Sequence, residues 1–216
     1  MRPLRSLVLL AAFFLFVVLP PAASAQLASR TAEEWIATLE SPQRIASLKI
    51  DETLARLRLK PGDVVADIGA GSGVFEAPLA HAVSPGGKVY AVDIEQGLVD
   101  HIAQRAGELH LTNVQGVLGK FIDPNLPVRN IDLAFINDVL HHIQDRQAYL
   151  KSLAGYLKPS GRIAVIEFVP ELGGHKNQPE LQVTEQQGAT LMAAVGLKPQ
   201  EKFDLFPDKW FVVYGK

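Results

Sequence analysis

An acidic residue followed by three glycines at alternate positions is the first pattern in this sequence that could bind a ligand. The run VVADIGAGSGVFEAPLA begins at Val64, reaches Asp67 after an apolar stretch, and continues through Gly69, Gly71 and Gly73. Glycine lets a backbone approach a ligand closely and adopt positive φ without a steric penalty from Cβ. In open α/β sheets such turns lie beyond the carboxyl ends of the strands, where ligands bind. The pattern therefore predicts a nucleotide-containing cofactor at this turn.

The residues around the turn argue against two common nucleotide motifs. The dinucleotide fingerprint G-x-G-x-x-G needs its third glycine where this chain has Val74, and no G-K-[ST] of a P-loop follows. Asp93 ends the next predicted strand about 20 residues further on, where a carboxylate binds ribose hydroxyls and disfavours the 2′-phosphate of NADP. A nicotinamide dehydrogenase is therefore the weaker alternative.

Two histidines follow the fourth predicted strand, at the edge of the sheet where a substrate would lie. Because histidine titrates near neutral pH, His141 or His142 could act as a general base. The alternative is that one packs locally and the other is solvated. No metal site is predicted, since adjacent side chains are expected to point apart and no third ligand has i, i+4 spacing. Glu167, at the end of the fifth strand, either faces the same cleft or caps a turn.

Alternating strands and helices must position these residues. The expected strands are Val64–Ile68, Lys88–Ile94, Val114–Gly119, Ile131–Asn137 and Arg162–Phe168. Buried apolar strands separated by helices predict a parallel sheet covered on both faces. Two β-rich runs, Glu201–Leu205 and Trp210–Tyr214, flank a Pro-Asp pair and predict a terminal hairpin that adds one antiparallel strand.

The N-terminal part of the chain divides into two predicted regions before the main domain, residues 61–216. Residues 1–25 resemble a signal peptide: Arg2 and Arg5 precede the apolar run 7–19, and Ala25 precedes a predicted cleavage. The run is shorter than the ~20 residues of a membrane span. Export to the periplasm or the exterior is therefore expected, with an uncleaved membrane anchor as the alternative.

Residues 26–60 form a predicted helical extension. Thr31 and Glu34 have capping-box spacing, and Ser41-Pro42 begins a second predicted helix that ends before Pro61-Gly62. The expected buried positions of that helix are Ile45, Leu48, Leu54 and Leu57. These helices are expected either to close over the cofactor or to cover an edge of the sheet.

Composition excludes several classes of function. The chain has 21 Lys+Arg against 23 Asp+Glu, a net charge of −2, which offers no basic surface for nucleic acid. It contains no cysteine, so disulfides, zinc–thiolate sites and thiol nucleophiles are excluded.

Five segments together resemble the class I S-adenosylmethionine-dependent methyltransferases, in particular the small-molecule type with a VLHHI motif. They are VVADIGAGSG, VYAVDI, DPNLP, IDLAFINDVLHHI and LKPSGRIAVIEF, and the resemblance runs from about Arg44 to the C-terminus. It implies an α/β, Rossmann-like, doubly wound sheet of seven strands, mostly parallel with an antiparallel C-terminal strand. It also implies S-adenosylmethionine as cofactor and a small-molecule or lipid-like acceptor.

The resemblance further implies which residues bind the cofactor. They are Asp67, Gly69, Ala70, Gly71, Gly73, Asp93, Ile94, Asp123 and Asn137. Asp67 and the glycine loop would hold the methionyl part, and Asp93 would bind the ribose hydroxyls. Ile94 would lie against adenine, Asp123 would bond the adenine amino group, and Asn137 would lie beside the cleft.

Some subclasses are disfavoured, and one alternative of another kind stays open. Arsenite methyltransferases bind arsenic through thiolates, which this chain lacks, and amino-group methylators of protein and DNA carry N-P-P-Y where this chain has NDVLHH. A signal peptide would take the chain away from the cytoplasm, where the cofactor is made. An exported ligand-binding module without turnover is therefore the alternative to an enzyme.

Overall fold

Seven strands form one sheet in the computed structural model, which describes residues 30–173 and 175–216. The strands are β1 Val64–Ile68, β2 Lys88–Asp93, β3 Val114–Leu118, β4 Ile131–Asn137, β5 Leu157–Phe168, β6 Lys198–Phe203 and β7 Lys209–Gly215. The predicted signal peptide, residues 1–25, lies outside the described residues.

The strand order is β3-β2-β1-β4-β5-β7-β6. Neighbours from β3 to β5 pair in parallel, whereas β7 is antiparallel to both β5 and β6. The predicted doubly wound sheet with one reversed strand is confirmed. Strand order changes direction at β1, which has β2 on one side and β4 on the other, and ligands of such sheets bind at this crevice.

Helices cover both faces of the sheet. They are α1 Ala32–Leu39, α2 Pro42–Ser47, α3 Ile50–Leu57, α4 Glu76–Ala82, α5 Gln96–Glu108, α6 Arg146–Ala154 and α7 Glu185–Ala194. Single 3₁₀ turns lie at Leu140–His142 and Pro179–Leu181. No helix among the described residues combines the length and the apolar character that crossing a membrane requires.

Two apolar layers explain why the central strands read as almost continuous apolar runs. Ala134 and Ile136 of β4 pack into one layer, and Leu133 and Phe135 pack into the other. Successive side chains of a strand point to opposite faces, so a strand covered on both sides needs apolar residues at every position.

The single helix predicted after Ser41 is wrong, because the chain forms two helices separated at Lys49. That residue has a left-handed φ of 44°, and its Nζ donates to the Leu205 carbonyl at 2.9 Å. The Thr53 hydroxyl donates to the Leu48 carbonyl at 3.0 Å, which satisfies an acceptor that the break frees. Ile45 is consequently 37% exposed rather than buried.

Candidate functional site

A cavity of about 320 Å³ lies at the carboxyl ends of β1, β2 and β4. Gly69 and Gly71 follow β1, Asp93 ends β2, and Asn137 ends β4, and all four contribute to its wall. Parallel strands bring their carboxyl ends to one edge of the sheet, so residues far apart in the sequence meet there. The cavity therefore lies where the sheet topology places a ligand.

Backbone conformation and close neighbours both restrict the glycine loop to residues without a side chain. Gly69, Gly71 and Gly73 all have positive φ, at 69°, 60° and 78°. An added Cβ at Gly69 would stand 2.4 Å from a Val139 methyl group, and one at Gly71 would stand 2.8 Å from Leu39. These glycines are therefore required both by conformation and by space.

Asp93 links the end of β2 to the glycine loop. Its Oδ2 accepts the Gly71 N–H at 2.9 Å, and its Oδ1 accepts the Glu95 N–H at 3.1 Å. Burial raises the pKa of Asp93, although the backbone donors oppose that shift. Each oxygen keeps a further acceptor position, so the carboxylate can bind hydroxyl groups of a ligand in the cavity.

Asp67 does not reach the cavity wall. It lies behind the loop beside Glu76, and each residue is 3% exposed. Burial raises the pKa of Asp67 to about 7, although its hydrogen bond with Glu76 opposes that shift. Burial, followed by the charge of Asp67, raises the pKa of Glu76 well above its usual value. The pair therefore retains a proton at neutral pH, and the structure gives Asp67 a position that supports the loop from behind.

The structure also places Asp123 away from the cavity wall. Its carboxylate accepts the Tyr156 hydroxyl at 2.9 Å, the Asn125 N–H at 2.6 Å and the Ser152 hydroxyl at 2.7 Å. The adenine contact that the resemblance implies for this residue has no counterpart in that geometry. Lys120, which follows the end of β3, lines the cavity instead.

The N-terminal extension borders the cavity on the other side. Trp35 and Leu39 of α1 and Arg44 of α2 all contribute to the wall. Arg44 forms a 2.7 Å ion pair with Asp138, whose carboxylate also accepts a 2.6 Å bond from the buried Lys209. This pairing ties the extension to the residue that follows β4.

The two candidate catalytic histidines occupy different environments. His142 lines the cavity, whereas His141 is 3% exposed and lies behind the wall. The Glu167 carboxylate contacts His141 Nδ1 at 2.8 and 2.9 Å and also accepts the His141 and Phe168 N–H groups. Glu167 therefore orients His141 and does not face the cavity.

The rings of His141 and His142 do not point apart, so that expectation from their adjacency is wrong. Their centroids are 4.1 Å apart because both belong to one 3₁₀ turn. His175, from the connection after β5, lies 4.7 and 5.7 Å from them. Burial, followed by the charges of the other two rings and Arg146, lowers the pKa of His142 to about 3. A neutral ring with so low a pKa is a poor general base at pH 7.

A family model described as Methyltransferase domain matches residues 59–205. The chain belongs to this family. Among curated relatives, the demethylmenaquinone methyltransferase of Geobacillus sp. (strain WCH70) is 26% identical over 117 residues, covering 54% of this chain and 50% of the relative. The nocamycin O-methyltransferase of Saccharothrix syringae is 33% identical over 111 residues, covering 51% of this chain and 40% of the relative.

Among solved structures, a SAM dependent methyltransferase from Aquifex aeolicus has a TM-score of 0.77 and 23% identity, covering 86% of this chain and 98% of that chain. At this identity the likeness concerns the fold. The chain spans about half or less of the length of the first curated relatives that it matches.

The cavity of this methyltransferase domain fits S-adenosylmethionine. Gly69 and Gly71 present bare backbone for the methionyl part, and the Asp93 carboxylate is available to the ribose hydroxyls. Ile94 and Phe121 line the same cavity and are 39% and 62% exposed, which provides apolar surface for adenine. The wall thus offers both polar and apolar groups to such a cofactor.

Several wall residues of the methyltransferase domain were not predicted as cofactor contacts. Lys120 and Phe121 could have been found, because they directly follow β3 at the edge where the other strands end. Arg44 carries no local signal, since it reaches the wall from the N-terminal extension through its ion pair with Asp138.

Proposed function

We propose that this chain transfers a methyl group from S-adenosylmethionine to a small-molecule acceptor. The observation that carries the proposal is the Asp93 carboxylate, held by the Gly71 N–H at 2.9 Å and lining the cavity at the strand ends. The methyltransferase family match over residues 59–205 supports the same activity.

The chain's own residues would act mainly by alignment and exclusion of water. S-adenosylmethionine, when bound, supplies an electrophilic methyl group on a positively charged sulfur. The glycine loop and Asp93 would fix the cofactor, and Trp35 and Leu39 of the N-terminal extension, which line the cavity, would help to shield it from water. Holding two reactants in line in a site from which water is excluded lowers the barrier without a dedicated catalytic group.

The proposed acceptor is a small, largely apolar molecule that carries a nucleophilic oxygen or carbon. Leu48, Val74 and Ile143 give the cavity apolar wall next to its polar loop. The names of the two relatives, a demethylmenaquinone methyltransferase and a nocamycin O-methyltransferase, describe methyl transfer to small molecules. A net charge of −2 gives no support to a nucleic-acid acceptor.

A role for His142 in contacting the acceptor stays a prediction, as does membership of the VLHHI subtype. His142 lines the cavity, which suits a contact with the acceptor. Because its pKa is lowered to about 3, we propose a contact through a neutral ring rather than proton removal.

A labelled-methyl transfer screen tests the proposed function. Full-length protein and cofactor carrying a labelled methyl group would be incubated with cell extracts that are then separated into lipid, polar and protein fractions. We expect label in the lipid or polar small-molecule fraction. Binding of cofactor with no label in any fraction would instead favour the exported ligand-binding module, and label in protein would contradict a small-molecule acceptor.

We also propose that residues 1–25 direct export of the chain as a signal peptide and are then cleaved off. The basic start, the apolar run and Ala23 and Ala25 support this proposal. Mass spectrometry of the N-terminus of the protein isolated from outside the cytoplasm should find Gln26 as the first residue. If residues 1–25 were retained and the protein were found in a membrane fraction, the uncleaved anchor would be favoured. Transient membrane contact through the N-terminus is part of the same proposal.

A further inference from the structure

Three histidines meet at the edge of the cavity without a role in binding the cofactor. His141 and His142 belong to the 3₁₀ turn after β4, and His175 belongs to the connection between β5 and α7. One ring nitrogen from each lies within 4.8 Å of the ring nitrogens of the others. No local sequence pattern predicts this cluster, because only the fold brings His175 next to the other two histidines.

Two of these rings have their lone pairs directed by hydrogen-bond partners. The Glu167 carboxylate can only accept, so His141 Nδ1 carries the hydrogen and Nε2 is left with a lone pair. His175 Nδ1 contacts Gln178 Oε1 at 2.7 Å, which likewise leaves Nε2 as the free nitrogen. A carboxylate or amide oxygen behind a histidine is the usual outer support of a metal ligand.

Two ring nitrogens of the cluster are buried and lack a hydrogen-bond partner among the described residues. They are His141 Nε2 and His142 Nδ1. Buried polar atoms are nearly always paired, and an unpaired one costs free energy. A ligand shared by both nitrogens would satisfy them together.

Arg146 holds the cluster together from outside. Its guanidinium donates to the carbonyls of Leu140 and His141 on the turn and of Glu180 on the following connection, at 3.0, 2.9 and 3.2 Å. Gln182 also donates to the His175 carbonyl at 2.8 Å. These bonds to backbone carbonyls therefore hold the turn and the following connection next to each other.

We propose that His141, His142 and His175 form a binding site for a divalent late first-row metal ion, with Zn²⁺ as the reference case. Three imidazoles suit Zn²⁺ and its neighbours, and three protein ligands leave a further coordination position open. Ligand atoms at about 2.1 Å from one ion lie about 3.4 Å apart in a tetrahedral site. The three ring nitrogens lie within 4.8 Å of one another, so the rings would draw together on binding.

The site lies at the edge of the proposed methyl-acceptor cavity, because His142 belongs both to the cluster and to the cavity wall. An oxygen of the acceptor would then be a natural ligand for the open position, since such ions lower the pKa of bound hydroxyl groups. This last step rests on the proposed function, whereas metal binding itself does not.

Metal binding is tested on the purified full-length chain after removal of bound ions by a chelator. Co²⁺ is titrated while its visible absorption is recorded, and Zn²⁺ is titrated by calorimetry. We expect one equivalent of either ion and a cobalt spectrum typical of nitrogen ligands in a tetrahedral site. The absence of saturable binding, or a stoichiometry unrelated to one ion per chain, would overturn the proposal.

Variants locate the site independently of methyl transfer. His175→Ala, on a partly exposed connection, should weaken binding about 100-fold or more, and Glu167→Gln should weaken it by about 10-fold through His141. The matched control His81→Ala removes an exposed histidine of α4 and should bind as the unchanged chain does. Unaltered affinity in His175→Ala, with its fold intact by circular dichroism, would show that the ion binds elsewhere and would refute the assignment.

Discussion

Gly69, Gly71 and Asp93 act as one unit at the residue scale, since the Asp93 carboxylate accepts the Gly71 N–H and both glycines have positive φ. Their place at the cavity follows from residue type and spacing, so it could be predicted. The positions of Asp67 and Asp123 could not, because which neighbour a carboxylate meets depends on packing. Asp67 meets Glu76, and Asp123 bonds to Ser152 and Tyr156 of the segment that includes α6.

The glycine requirement predicts a clear difference between two substitutions. Gly69→Ala would place Cβ 2.4 Å from Val139 at a φ of 69° and should lower the free energy of unfolding by about 1–3 kcal/mol. Gly107→Ala, near the end of α5, meets nothing within 4 Å and should leave stability unchanged or slightly increased. Denaturant unfolding measures both, and equal losses would contradict the role assigned to the loop.

The buried pair Asp67 and Glu76 predicts a pH dependence of stability. Burial raises both pKa values, that of Asp67 from 3.8 to about 7, so the native state binds more protons than the unfolded state in this range. The free energy of unfolding should therefore fall as pH rises from about 4 through 7. Glu76→Gln should flatten this dependence, because the amide stays neutral and can donate to Asp67.

Denaturant unfolding at a series of pH values from 5 to 8 checks the comparison between the chain and its Glu76→Gln variant. The exposed substitution Glu108→Gln on α5 serves as the control and should keep the original slope. Identical slopes in all three proteins would show that the pair does not share a proton in the native state.

At the scale of elements, the N-terminal helices complete the site. Their capping box at Thr31 and Glu34 could be predicted and is observed, with N–H to oxygen distances of 2.9 and 3.3 Å. The break at Lys49 could not be predicted, because the residues around it carry no glycine or proline signal. The break makes α2 and α3 separate helices, and Arg44 of α2 forms an ion pair with Asp138.

Arg44→Ala should loosen the extension without unfolding the sheet, since Lys209 still pairs with the Asp138 carboxylate at 2.6 Å. We expect faster amide hydrogen exchange in α1 and α2 and roughly tenfold weaker binding of S-adenosylhomocysteine, because loss of this ion pair loosens the helices that bring Trp35 and Leu39 to the cavity wall. Arg58→Ala is the matched control, as Arg58 pairs with Glu201 at the surface and its side chain is 65% exposed. Equal behaviour of the two variants would refute closure by the extension.

The whole molecule shows how much the strand pattern determines. Apolar runs separated by helical segments predicted the sheet, and two β-rich runs predicted the hairpin of β6 and β7. The position of the crevice beside β1 could be predicted from that topology. The histidine cluster could not be predicted, because His175 is brought to His141 and His142 by a long connection whose path no local pattern specifies.

Binding of S-adenosylhomocysteine, measured by calorimetry on the purified chain, tests most directly the claim that the cavity beside β1 holds this cofactor. The chain should bind one equivalent, and Asp93→Ala should abolish binding because the ribose hydroxyls lose their acceptor. Asp100→Ala, an exposed acid on α5, should bind normally. No binding by the folded chain, or full affinity in Asp93→Ala, would contradict the account.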